Sequence, residues 1–331
     1  MRSFLAIRTL AIAAMLTTAP LHAVEKEKST SQPNIVLIYA DDLGYGDVAC
    51  YNRKSKIPTP NIDSLAKAGM RFTNAYAPAA VCVPSRYALL TGRHAFRGEP
   101  LRWGSQPTIN EGRTTLASLL KGSGYETACI GKWHCGFEGG VSRQDQPLEG
   151  GPLDRGFDHF FGQHGSLDQP PYFYIRDRMA VEPATEPIAE AHDNSHSVIY
   201  QGKFWRAGKV APNFKHEDAL DRYASEAIKF LKTHHATAAE KPFFLYFAMT
   251  APHGPWLPAK QFHGKSDAGP LGDFVVHVDH VVGQVLATLD DLELTDSTLV
   301  LFSSDNGPLW FDDDVKRYGH DSSGGLRGRK G

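Results

Sequence analysis

The sequence predicts an α/β fold in which a mostly parallel central sheet is flanked by helices. Three observations carry the prediction: apolar runs of strand length recur, helical periodicities fill the intervals between them, and oxygen-rich turns stand where several runs end. Strands buried on both faces read as continuous apolar runs, and their alternation with helices marks a parallel sheet.

The first strand is expected at 34–39 (NIVLIY). Helical patterns follow at 60–68, with Pro60 suited to a first helical position, and at 84–90, with Pro84 in the first turn. A helix at 115–121 leads into a strand at 126–130 (ETACI). The stretch 136–212 is rich in Gly, Pro, Asp and aromatics with weak periodicity, and is expected as an elaborated loop region over one sheet edge. A helix at 217–232, a strand at 243–248 (FFLYFA), a helix at 273–289 and a strand at 298–303 (TLVLFS) complete the alternation.

Composition narrows the function. Of 331 residues 41% are hydrophobic and 22% charged, enough apolar material for a large core. Lys and Arg number 35 against 37 Asp and Glu, so no basic surplus exists to neutralise a run of phosphates, and no nucleic-acid partner is expected. At the N-terminus Arg2 and Arg8 lead into an apolar stretch over 9–20 and then Leu21-His22-Ala23. That is the pattern of a secretory signal peptide over residues 1–23, followed by a polar linker over 24–33. The apolar run is shorter than the ~20 residues a spanning helix needs, so no stable membrane anchor is expected and the chain reads as exported, periplasmic or secreted. Only four cysteines occur, too few for a disulfide scaffold.

In open parallel sheets ligands bind beyond the carboxyl ends of strands. There the sequence places Asp41-Asp42-Leu43-Gly44 after the first strand and Asp305-Asn306-Gly307 after the last. Converging, these would make an all-oxygen site for a hard cation, Ca²⁺ or Mg²⁺. Cys82 begins the string Cys82-Val83-Pro84-Ser85-Arg86 at the start of a helical pattern. The positive end of a helix and a nearby arginine predict a reactive or modifiable thiol.

Cys-x-Pro-Ser-Arg resembles the signature of type I sulfatases, in which this cysteine is oxidised to formylglycine. The likeness extends to 34–47 (NIVLIYADDLGYGD), 59–69 (TPNIDSLAKAG), Leu90-Thr91-Gly92, Gly131-Lys132-Trp133-His134, Ala251-Pro252-His253-Gly254-Pro255, Asp305-Asn306-Gly307 and Arg327-Gly328-Arg329-Lys330-Gly331, in the family's order. It is nearest in flavour to the arylsulfatase and N-acetylgalactosamine-6-sulfatase group. The resemblance implies an alkaline-phosphatase-like sheet and a catalytic domain over 34–331, truncated at its C-terminal end because the chain stops inside the lysine-bearing turn, with the C-terminal subdomain missing.

It also implies roles. Asp41, Asp42, Asp305 and Asn306, together with the modified Cys82, would hold one Ca²⁺, with Mg²⁺ the lesser alternative. Cys82 would be the nucleophile as formylglycine hydrate and Arg86 would hold that hydrate. Lys132 and Lys330 would bind sulfate oxygens, His134 would act as base, and His253 as acid or hydrogen-bond donor at the leaving oxygen. Ser166 would stand behind them. The implied substrate is a sulfated sugar or an aryl sulfate, and the implied partner a formylglycine-generating maturation enzyme. Two other readings compete: a phosphatase or phosphodiesterase of the same superfamily, and a non-catalytic carbohydrate-binding relative. Cys135 departs from the family pattern, and with Cys129 six residues away it suggests a local disulfide. Trp103, His94, Tyr172 and Trp205 are candidates for substrate contacts. His277, Asp279 and His280 read as a packed or solvated helix face and are left out of the site.

Overall fold

Ten consecutive buried residues, Phe243–Pro252, form the strand around which the rest of the sheet is arranged. The computed structural model describes residues 32–97, 106–193, 195–196, 198 and 201–331, and Pro33–Gly331 forms one unit. The expected signal peptide, nearly all of the expected linker, and Trp103 lie outside the described residues.

In chain order the elements are β1 (Asn34–Asp41), α1 (Pro60–Ala68), α2 (Cys82–Thr91), α3 (Leu116–Gly122), β2 (Glu126–Lys132), β3 (His159–Gln163), β4 (Ile175–Arg176), β5 (Met179–Ala180), β6 (Glu186–Ile188), β7 (Gly208–Val210), α4 (Ala219–Ala238), β8 (Phe243–Pro252), α5 (Gly269–Asp291), β9 (Thr298–Ser304) and α6 (Asp312–Tyr318). The main sheet runs β5-β4-β3-β2-β8-β1-β9, parallel from β3 to β9 and antiparallel at the β4–β5 end, while β6 and β7 form a separate ribbon. The alternating α/β architecture is as expected. Helices α1, α4 and α5 pack together, with α4 and α5 against β8. Helix α3 packs on β2 with α2 beside it.

One expectation needs correction. The stretch 136–212 does cover the sheet edge through β4 and β5, but it also contains β3, an interior strand bonded along β2. Its sequence, HFFGQ, is five residues long, aromatic and without β-branching, so it carries no period that separates it from the surrounding loop. Of the three residues left out of the site, His277 and Asp279 are held by structural partners and His280 is exposed. His277 is fully buried and bonded to Asp221, and Asp279 accepts the backbone N–H groups of Asn61 and Ile62, which caps α1. Among the described residues no helix is long and apolar enough to cross a membrane.

Candidate active site

Four adjacent parallel strands end on the same side of the sheet, and each ends in a polar residue of the predicted set. Asp41 closes β1, Lys132 closes β2, His253 follows β8 and Asp305 follows β9. The backbone turns sharply after β1, where Asp42 adopts a left-handed conformation with φ of 63°. Such strain, about 1–3 kcal/mol, persists only where the surroundings hold it. Here the Asp42 N–H donates to Asp305 Oδ1 at 3.2 Å and the Leu43 N–H to Ser304 Oγ at 3.0 Å. Ser304 in turn donates to the Asn306 carbonyl. Its role was not read from the sequence, where it is only the first residue of the turn that follows the apolar run 298–303.

Cys82 is the first residue of α2 and is 4% exposed, with Sγ donating to Asp41 Oδ1 at 3.2 Å. The expected positive field does not lower this thiol, which bears on its reactivity and not on its modification. Burial, then the neighbouring Asp305 and Asp41, push the Cys82 thiol well above the usual cysteine range, so unmodified Cys82 keeps its proton. The arginine expected to activate it is engaged elsewhere. Fully buried Arg86 donates Nε and Nη2 to Asp305 Oδ2 at 3.1 and 3.0 Å, donates Nη1 to the Lys132 carbonyl at 3.0 Å, and stands 3.6 Å from Asp41. It also lies over the ring of Tyr39, a residue the motifs did not single out.

The two central carboxylates differ sharply. Burial opposes the charge on Asp41, but Lys132, His253, Arg86 and Lys330 outweigh it and hold Asp41 well below the ordinary carboxylate range. Burial and the nearby Asp41 charge instead push Asp305 up to about 7. Lys132 Nζ pairs directly with Asp41 Oδ2, and Lys330 Nζ meets Asp42 Oδ2 at 2.7 Å. Both ammonium groups are raised above the usual lysine range, because these acidic neighbours outweigh burial.

Two imidazoles complete the cluster. Desolvation, then the charges of Lys132 and Arg86, push His134 well below the usual histidine range, which leaves it a neutral base. Its Nδ1 is buried and without a partner. A Cβ at Gly165 would stand 3.6 Å from the His134 ring, so the loop bearing Ser166 runs beside it. Ser166 Oγ is likewise buried and unpartnered. His253 holds its Nδ1 proton on the Gly254 carbonyl at 2.6 Å and turns Nε2 toward Asp42 Oδ2, 3.7 Å away.

The residues present fit a hard cation. Asp41, Asp42, Cys82 and His253 bring ligand atoms within 4.8 Å of one another. Asn306 donates Nδ2 to Asp42 Oδ1 at 2.7 Å, and its Oδ1 is buried with no hydrogen-bond partner. A buried, unpartnered amide oxygen on a side chain bonded to a carboxylate is the kind of donor a hard cation such as Ca²⁺ or Mg²⁺ takes.

Other expectations fare differently. Cys129 and Cys135 are both free and buried, so the suggested disulfide is absent. Tyr172 is fully buried, and its hydroxyl donates to the Arg206 carbonyl. Trp205 stacks on His216 at 4.4 Å with Lys203 over its ring. Tyr172 is therefore not free to stack on a sugar, while Trp205 is half-buried with one face on His216. His94 is stacked on exposed Phe96.

Comparison with known proteins accords with this geometry. The family model described as Sulfatase matches residues 33–328. The chain is 33% identical over 334 residues to an N-acetylgalactosamine-6-O-sulfatase of Bacteroides thetaiotaomicron, covering 89% of this chain and 63% of that protein. It is 36% identical to human arylsulfatase A, covering 83% of this chain and 52% of that protein. It therefore spans about half to two-thirds of the length of these relatives. A solved 6S-sulf protein of Bacteroides thetaiotaomicron, described in connection with metabolism of multiple glycosaminoglycans, superimposes with a TM-score of 0.78 at 34% identity, over 90% of this chain and 68% of that one. A Pseudoalteromonas sulfatase structure matches with a TM-score of 0.64 at 26% identity, over 85% and 58% of the two chains.

Proposed function

The chain belongs to the sulfatase family, and from that premise we propose that it is an exported sulfatase hydrolysing sulfate esters of sulfated carbohydrates. In this reading Cys82 is matured to formylglycine and one Ca²⁺ is bound. The observation that carries the proposal is the convergence of Cys82, Lys132, His134, His253 and Lys330 on the Asp41–Asp42 turn, from elements up to 288 residues apart.

Asp41, Asp42, Asp305, Asn306 and the position-82 side chain would hold the cation, whose chemistry is to withdraw charge from the sulfate oxygens. Formylglycine supplies an aldehyde hydrate, one hydroxyl able to displace the alcohol from sulfur and the other to release sulfate as the carbonyl re-forms. The chain's own groups do the rest. Lys132 and Lys330 place two fixed ammonium charges beside the carboxylates, where sulfate oxygens can take up their remaining donors. His134, held neutral, accepts the hydrate proton during release. His253 turns Nε2 to the mouth of the cluster, and with a second proton on that nitrogen it would be the donor to the leaving oxygen. Arg86 clamps Asp305 and the end of β2, which keeps these groups in register.

The test is a panel containing sulfated monosaccharides, 6-sulfated N-acetylgalactosamine among them, an aryl sulfate and a phosphate diester, assayed with added calcium and with chelator. Peptide mass spectrometry at position 82 accompanies it, on protein made alongside the maturation enzyme. Calcium-dependent sulfate release with an aldehyde at position 82 is expected, with Cys82→Ala inactive. Zinc-dependent cleavage of the phosphate diester by protein carrying unmodified Cys82 would overturn the proposal.

A further inference from the structure

Asp47 lies six residues beyond Asp41, is fully buried, and is not one of the residues placed in the reaction. Its carboxylate collects three donors. Oδ2 accepts the Gly44 N–H at 2.8 Å, while Oδ1 accepts His320 Nε2 at 2.8 Å and the Ser322 hydroxyl. His320 is 1% exposed and Ser322 fully buried. The Lys56 N–H points at His320 Nδ1, 3.4 Å away, so the ring proton belongs on Nε2, facing Asp47. Trp310 Nε1 donates to the His320 carbonyl at 2.9 Å, which fixes the residue from its other side.

The backbone closes on the same point. The Gly46 N–H donates to the Ser322 carbonyl at 2.7 Å, and a Cβ at Gly44 would stand 2.1 Å from that oxygen. Glycine is therefore required for the 320–324 segment to approach the turn this closely. Eight residues beyond Ser322, Lys330 reaches Asp42. The segment 320–330 is thus tied to the turn at both its ends, through Asp47 at one and Asp42 at the other.

We propose that His320 is a positioning residue: through Asp47 it locks the Asp41–Gly44 turn to the segment that delivers Lys330, so that two carboxylates and one ammonium group are set as a unit. The turn holds a non-glycine residue in the left-handed conformation, and without the Asp47 anchor its third amide tie, at Gly44, loses its fixed acceptor. The consequence for calcium rests on the reading of the preceding subsection, whereas the coupling of the two segments does not.

The test compares the 331-residue parent with His320→Leu, His320→Gln and Ser322→Ala. Gln places an amide N–H near the position of Nε2, so it should rescue a positioning role. Hydrogen exchange read by mass spectrometry should be about tenfold faster in His320→Leu for peptides covering both 41–46 and 326–331, with β8 peptides unchanged and His320→Gln close to parent. Calcium affinity by titration should fall about tenfold in His320→Leu, the usual effect of removing a group that orients a ligand. If His320→Leu fails to fold, Ser322→Ala removes one donor with little volume and must show the same paired increase in exchange. Faster exchange confined to 318–324 would overturn the proposal, as would unaltered calcium affinity in a variant that merely melts lower. A parent that binds no calcium would refute the metal reading, and the paired exchange would still decide the coupling.

Discussion

Arg86→Met is the sharpest perturbation the site offers, because a side chain of similar length removes every donor of a fully buried guanidinium. Two bonds to Asp305 and one to the Lys132 carbonyl disappear together. Asp305 keeps the Asp42 N–H but loses its countercharge, with the Asp41 charge still beside it. Breaking a buried pair on one side costs about 3–5 kcal/mol, and an orphaned backbone carbonyl about 1–3 kcal/mol. Proton uptake limits the first term, since Asp305 is already pushed up to about 7 and would rise further without Arg86. A net loss of about 4 kcal/mol follows, or a fall in Tm of about 6 °C for a chain of this size. Arg86→Met combined with Asp305→Asn removes the unpaired charge and should recover about 2 kcal/mol in a double-variant cycle. The assay is calorimetric or fluorescence-detected melting at pH 7.5 without divalent metal. A Tm for Arg86→Met within about 2 °C of the parent would refute the argument that this guanidinium balances the buried carboxylates.

Three further outcomes are expected. His216, stacked on Trp205 with Tyr172 edge-on beside it and pushed down by burial to about 4 from 6.5, cannot take up the proton that the unfolded chain binds. Its contribution of about 3 kcal/mol is present above pH 6.5 and is lost as pH falls from 6.5 to 4, so His216→Phe should flatten that limb of a stability-against-pH curve from denaturant titrations. Gly131 sits in β2 at φ of 112°, where a Cβ would stand 1.9 Å from the Ala248 carbonyl. Gly131→Ala should yield no soluble folded chain in an expression and gel-filtration assay. Gly139→Ala, at positive φ but in open space, should cost only about 1 kcal/mol by denaturant titration.

The sequence by itself determined four of the five parallel strands and helices α1 to α5, and it named the candidate site residues, because each is written in a short stretch of chain. Four of the five parallel strands are apolar runs with little else they could be, and Cys82, Lys132, His134, His253 and Asp305 sit in compact motifs at strand or helix ends. Strand β3 escaped since five aromatic and polar residues have no period of their own. What only the tertiary structure decided is how charge is shared among those groups. Arg86 lies four residues from Cys82 in sequence and reads as its activator, yet it spends its donors on Asp305, 219 residues away, and Cys82 stays protonated. Asp41 and Asp305 look alike in sequence and titrate in opposite directions, because the ammonium group of Lys132 pairs with one and not the other. Asp47 closes the 34–47 block, but nothing in the sequence joins it to His320 and Ser322, up to 275 residues away and outside every motif. Periodicity and capping act over a few residues, whereas Coulomb and desolvation energies depend on which groups are brought within a few ångströms, and only the folded sheet edge sets that.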